Sequence, residues 1–315
     1  MKGLPIGVHI SWGGANANTI VDAIVQADEA GIDTAWMTSG GVAADPLVIF
    51  AAATARAKRI NFGTCIIPTF PRHPLALVQA AVAIDQLAPG RLTLGVGPSH
   101  QVSVEPTFGI AFDKPLQHLR EYLTILRSIL YDGKVQFEGK RLTARAQLAG
   151  PTGVKVMASA LRPNGFSLCG ELADGAISWV CPLPYLRDVA VPALKAGAAK
   201  AGRQAPPLVA HVPVVVSENI DAVREASRKQ IGFYPRVPYY SQMFQDAGFP
   251  EAKEGQLSDR MIDALVVHGS AAQVTERLRG LPSFGVGQLL AMPITISPET
   301  TQATLATLGA LAQSD

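Results

Sequence analysis

Short apolar runs alternate along this chain with longer stretches of helical periodicity. Residues 5–10 read as a first buried strand. A helix over 19–30 follows, with Asn18 or Thr19 as its cap and Val21, Ile24 and Val25 on its apolar stripe. The same alternation recurs through strands at 34–38, 60–64, 91–95, 154–158, 175–180, 208–216 and 288–292. Between them lie helical patterns over 45–57, from Pro74 to Leu87, 115–131, 163–172, 183–201, 221–231, 270–281 and 298–312. Asp45 with Pro46 behind it, and Ser270, mark helix starts. Three stretches interrupt the alternation: a long loop near 98–115, a polar hairpin near 132–153, and a segment near 232–267 that is aromatic at first and helical at its end.

Eight strand–helix units without a composition break predict one (β/α)8 TIM barrel over 1–315, with those three stretches as insertions. A doubly wound sheet alternates too and is the rival. The count of eight favours the barrel, as does a length whose excess over roughly 250 residues falls in the insertions.

Composition narrows the classes. With 315 residues, 48% apolar and 17% charged, the chain is long and apolar enough for a large core. A net charge of +2, without a basic block, gives no reason to expect nucleic acid or an anionic membrane as partner. No run approaches the 18 apolar residues of a membrane span. Cys65, Cys169 and Cys181 are odd in number, lack CxxC spacing and sit among apolar neighbours, which suits buried free thiols and a cytoplasmic setting.

A barrel keeps its chemistry at the C-terminal ends of its strands. Here those ends carry His9 and Trp12, Thr38 and Ser39, Thr64 to Ile66, Gly97 to His100, Ser159 and Ala160, Trp179 to Cys181, His211, and Met292 with Pro293. No carboxylate stands among them, which excludes the facing pair of a glycosidase. No metal-ligand spacing, strand-end lysine or GxSxG elbow occurs either. Gly95-Val96-Gly97 follows a strand, but His100 stands where a dinucleotide fingerprint needs glycine. A pocket of apolar, aromatic and hydroxyl groups with a few neutral histidines suits an organic cofactor that brings its own reactivity.

The stretch from Phe62 through Pro68 to Pro74 resembles the luciferase-like monooxygenase superfamily. So do Gly90-Arg91-Leu92-Thr93-Leu94-Gly95-Val96-Gly97, His118-Leu119-Arg120-Glu121-Tyr122 and Gly170-Glu171-Leu172-Ala173-Asp174-Gly175. Within it the chain is similar to the deazaflavin (coenzyme F420) dependent oxidoreductases. The resemblance implies a non-prolyl cis peptide at Cys65-Ile66 or its neighbour, supporting the cofactor ring. It implies a phosphate site at Ser159, Ala160, Leu161 and Arg162, where free N–H groups and a helix dipole also converge. Thr64, Gly97 and Ser99 are expected beside the cofactor, and His9, Trp12 and Trp179 around the substrate. His100 is the leading candidate for a polar group at the hydride-transfer centre, and His73 for helix capping or packing. One departure stands out: many of these relatives carry Asp-His after strand two, whereas this chain has Ser39-Gly40. Their acid/base histidine is therefore missing, which counts against their sugar-phosphate or alcohol chemistry here; Ser39 is kept as a catalytic candidate.

Three activities remain open at this point. The first is hydride transfer between coenzyme F420 and a small organic substrate, the second an FMN-dependent monooxygenase using O₂. The third is a non-catalytic flavin-binding protein of the same fold. The family further implies a homodimer. Tyr234, Tyr239, Tyr240, Met243 and Phe244 in the 232–267 segment read as a substrate lid or as a dimer contact.

Overall fold

The eight apolar runs become eight parallel strands in the computed structural model, which describes residues 3–11 and 14–314. They span Ile6–His9, Thr34–Met37, Asn61–Thr64, Leu92–Gly97, Lys155–Ser159, Ala176–Ser178, Leu208–Val216 and Gln288–Pro293. Neighbours pair in chain order. Val209 stands opposite Ile177 between the sixth and seventh strands, and Leu289 opposite Ile6 between the last and the first. That last pairing closes the sheet into a barrel and excludes the doubly wound alternative, which would leave two open edges. Helices cover the outside, so strand residues are buried on both faces, as throughout Thr34–Met37.

Inside the barrel, the fully buried Trp36 lies across two glycines. A Cβ at Gly7 would come within 2.4 Å of its indole and one at Gly63 within 2.3 Å, so only glycine leaves room for the ring. Met157, Ile177, Val209 and Leu290 fill the rest of this layer. The interior is a packed plug.

Local signals set most element ends as expected, with physical exceptions. Asp45 caps Pro46–Ala53, and Ser270 with Gln273 forms a capping box on Ala271–Arg279. The first helix begins earlier than expected: Asn16, not Asn18 or Thr19, caps it by accepting from Thr19 N at 3.0 Å. His73 Nδ1 accepts from Leu75 N at the start of Pro74–Leu87, a capping role. The expected loop after Gly97 contains the helix Gln101–Phe108. The expected helix over 183–201 is broken by a π-helical turn, Leu186–Ala190. Pro192, lacking an N–H, cannot continue the regular ladder there.

The polar excursion is a hairpin of Lys134–Glu138 and Thr143–Gln147. Glu121 anchors its tip: the carboxylate accepts the N–H groups of Lys140, Arg141 and Leu142 at 3.2, 2.9 and 3.0 Å. The segment after Ile231 carries the helices Pro238–Asp246 and Asp259–Leu265. It ends in a strand not expected from the pattern, Val267–Gly269, which pairs with the outer end of Leu208–Val216. All three cysteines are buried and unpaired. Among the described residues, no helix is long and apolar enough to cross a membrane.

Candidate functional site

A cavity of about 580 Å³ opens above the plug at the C-terminal ends of the strands. That volume lies within the range of small-molecule and cofactor sites. Its lining brings together Ser39, Cys65, Ile66, Ser99, His100, Trp179 and the whole run from Ser159 to Arg162.

The third strand ends in a bulge whose Cys65-Ile66 peptide is cis. Pairing resumes beyond it, Ile67 opposite Val96 on the fourth strand. Thr64 corrects an expectation: it is fully buried and turns away from the cavity. Its hydroxyl donates to Gly95 O at 2.8 Å and accepts from Gly95 N at 2.9 Å, clamping the bulge to the neighbouring strand. Cys65 reaches the cavity wall, but burial pushes its thiol well above the usual range, so it is not a poised thiolate.

Gly97 also departs from expectation, since it does not line the cavity. It makes room for a residue that does: a Cβ there would lie 2.1 Å from Ser159 Oγ. Just beyond, Ser99 adopts φ +64°, the left-handed region that a serine rarely occupies. His100 meets the ring of Tyr240 edge-on at 5.5 Å. Burial lowers its pKa, which leaves the imidazole neutral at pH 7.

After the fifth strand, Ser159, Ala160 and Leu161 run into the helix Pro163–Leu172. Arg162 is its N-cap and provides no capping hydrogen bond, while Asn164 and Gly165 in the first turn face the cavity. The site therefore has a helix N-terminus with its dipole end toward open space, beside a hydroxyl and a guanidinium. Arg162 Nη2 is 3.1 Å from Asp246 Oδ2 on the helix Pro238–Asp246.

The opposite side is aromatic. Trp179 stacks on His211 at 3.6 Å between centroids, and His9 meets it edge-on at 5.7 Å. His9 thus supports the wall and is not part of it, contrary to its expected place in the lining; its Nε2 is 3.5 Å from Thr38 Oγ1. Val180, at φ +49°, donates its N–H to His211 Nδ1 at 3.3 Å. That bond assigns the ring proton to Nε2. Burial lowers both histidines, His9 to about 4 and His211 well below its ordinary value. Trp12 lies outside the described residues.

Tyr234, Tyr239 and Tyr240 also line the cavity, whereas Met243 and Phe244 are buried in the core. Trp179 Nε1 donates to Tyr234 Oη. Phe112, Leu116 and Leu119 complete the wall, and nothing but apolarity could have marked them beforehand. No cluster of three or more potential metal ligands exists among the described residues.

A closed parallel barrel of this kind, with a bulged third strand and a cavity at the C-terminal strand ends, defines the class as a TIM barrel with a small-molecule site at its mouth. Residues 5–288 match the profile of the luciferase-like monooxygenases, and the chain belongs to that family as a luciferase-like oxidoreductase. It is 29% identical over 272 residues to the F420-dependent glucose-6-phosphate dehydrogenase of Nakamurella multipartita, covering 81% of this chain and 77% of that one. Among solved structures, an F420-dependent secondary alcohol dehydrogenase holding an F420–acetone adduct superposes with a TM-score of 0.84. The match covers 99% of this chain and 100% of that one at 18% identity. The FMN complex of a type II Baeyer-Villiger monooxygenase from Pseudomonas putida superposes at 0.72 and 20% identity, over 98% and 97% of the two chains.

Proposed function

We propose that this protein is an oxidoreductase that exchanges a hydride between bound coenzyme F420 and a small organic substrate. The observation that carries the reading is one cavity whose lining joins Cys65 and Ile66 of the bulge to the run from Ser159 to Arg162 at a helix start. The residues present fit such a group. Gly97 leaves open the space that Ser159 needs, and the uncapped helix N-terminus presents N–H groups suited to a phosphate.

In its reduced form the deazaflavin supplies the hydride. The protein binds and orients. Ser159, N–H groups of the helix start and Arg162 would hold the phosphate, Cys65 and Ile66 would contact the ring, and Ser99 lies in the same cavity wall. His100, Ser39 and Thr38 provide uncharged polar contacts around the reacting centre, and Trp179 bounds the substrate. Apolar walls exclude water that would otherwise compete for the reactants.

FMN is the second reading, favoured by the FMN-containing structural neighbour and by a cradle that takes either cofactor's phosphate. Fluorescence titration of the purified protein with each cofactor separates them. Saturable quenching by F420 at lower concentration than FMN is expected; tight FMN binding without F420 binding would overturn the proposal. A homodimer belongs to the same reading and is tested by sedimentation; the three buried unpaired thiols support a reducing compartment.

A further inference from the structure

The substrate side of the cavity is almost free of charge. Among the described residues, Arg162 is the one formally charged side chain in the lining, and Asp246 holds it at the cradle end. His100, His9 and His211 are all kept neutral by burial. An ionic substrate would have to shed its water there with no counter-charge to meet it.

Two phenols stand in that region, Tyr234 and Tyr240, with ring centroids 4.6 Å apart. Tyr234 is the better defined. Indole nitrogen is only a donor, so the Trp179 bond makes Tyr234 Oη the acceptor and leaves the phenolic proton unused. Among the described residues nothing else bonds to that hydroxyl. Trp179 is itself held by its stack on His211, which Val180 N–H locks in turn. The donor is therefore oriented before any ligand arrives. Burial pushes the Tyr234 phenol up, so it keeps its proton at neutral pH.

We propose that Tyr234 is a catalytic residue whose hydroxyl donates to the carbonyl oxygen of an uncharged substrate. The proposal rests on the hydride-transfer reading above and adds to it a substrate class and a proton donor. When a hydride from the reduced cofactor reaches the carbonyl carbon, the π pair of C=O moves onto oxygen. That oxygen takes the Tyr234 proton, the oxidised cofactor releases one proton to solvent, and solvent returns one proton to the phenolate, so a neutral ketone becomes a neutral alcohol.

Acetophenone labelled with ¹³C at the carbonyl is the probe, with benzoate as its charged counterpart. Infrared difference spectra of the protein without cofactor should show the carbonyl band of bound acetophenone lowered by a hydrogen bond. The Tyr234→Phe variant should return the band toward its free position and weaken acetophenone binding roughly 2- to 10-fold. F420 affinity should stay as in the wild type. Benzoate should bind more weakly than acetophenone. An identical band in wild type and Tyr234→Phe overturns the assignment, as does a band that moves only in Tyr240→Phe. Failure of the wild type to bind acetophenone overturns it as well. A lowered band in a protein that binds no F420 keeps the hydrogen bond and removes the cofactor reading instead.

Discussion

Asp246 holds the Arg162 guanidinium at 3.1 Å, tying the segment after the seventh strand to the loop that follows the fifth. Both side chains are partly exposed, at 40% and 35%, so the pair itself adds little stability. Its importance is for a ligand: an anion at the cradle competes with Asp246 for the same guanidinium.

Arg162→Ala should therefore weaken F420 binding by about 1.5–3 kcal/mol, nearer the lower figure because the group is part-solvated. Asp246→Asn should act in the opposite sense and by less, since it frees the arginine. Fluorescence titrations of both variants check this, with thermal melts expected to change little. An Arg162→Ala protein with unaltered affinity would mean that the arginine serves Asp246 alone.

Gly97 and Ser159 form a second coupled pair. A methyl at residue 97 would sit 2.1 Å from Ser159 Oγ and 3.2 Å from Ile66 Cγ1. Gly97→Ala should cost about 1–3 kcal/mol through overpacking and displace the serine from the cradle. Adding Ser159→Ala removes the offending oxygen, so the double variant should recover part of the loss. Urea unfolding of the four proteins measures the coupling; strictly additive effects would contradict the packing argument.

Acid should weaken the fold partly through His9. In the unfolded chain its imidazole takes a proton near pH 6.5, whereas in the folded protein it does so only at about 4. Between these values the unfolded state binds more protons, so stability is full above 6.5 and falls as pH drops toward 4. The ceiling is roughly 3 kcal/mol. His9→Gln should flatten this part of the profile, which the difference in urea midpoints between pH 7 and pH 4.5 reveals. Equal pH dependence in both proteins would show that the ring is solvated and not shielded by Trp179.

Much of the architecture was readable from local rules. Strand and helix periodicity repeats eight times, capping signals such as Asp45 and Ser270 act within four residues, and strand ends in a barrel converge by topology. For that reason Ser39, Cys65, Ile66, Ser99, His100, Trp179 and the run from Ser159 to Arg162 could be named as one group before the structure, and they share one cavity. Thr64 was misjudged because strand register decides which way a side chain points, and a bulge after it changes that register.

What the chain determined by itself is the order and kind of its elements, because helix and strand periods, caps and prolines act over neighbouring residues. Only tertiary structure decided which distant groups meet. Tyr234 reaches Trp179 across 55 positions, and Asp246 reaches Arg162 across the same cavity. Gly97 has its value solely through Ser159. Such contacts depend on how insertions fold back over the barrel mouth, and no local period encodes that return.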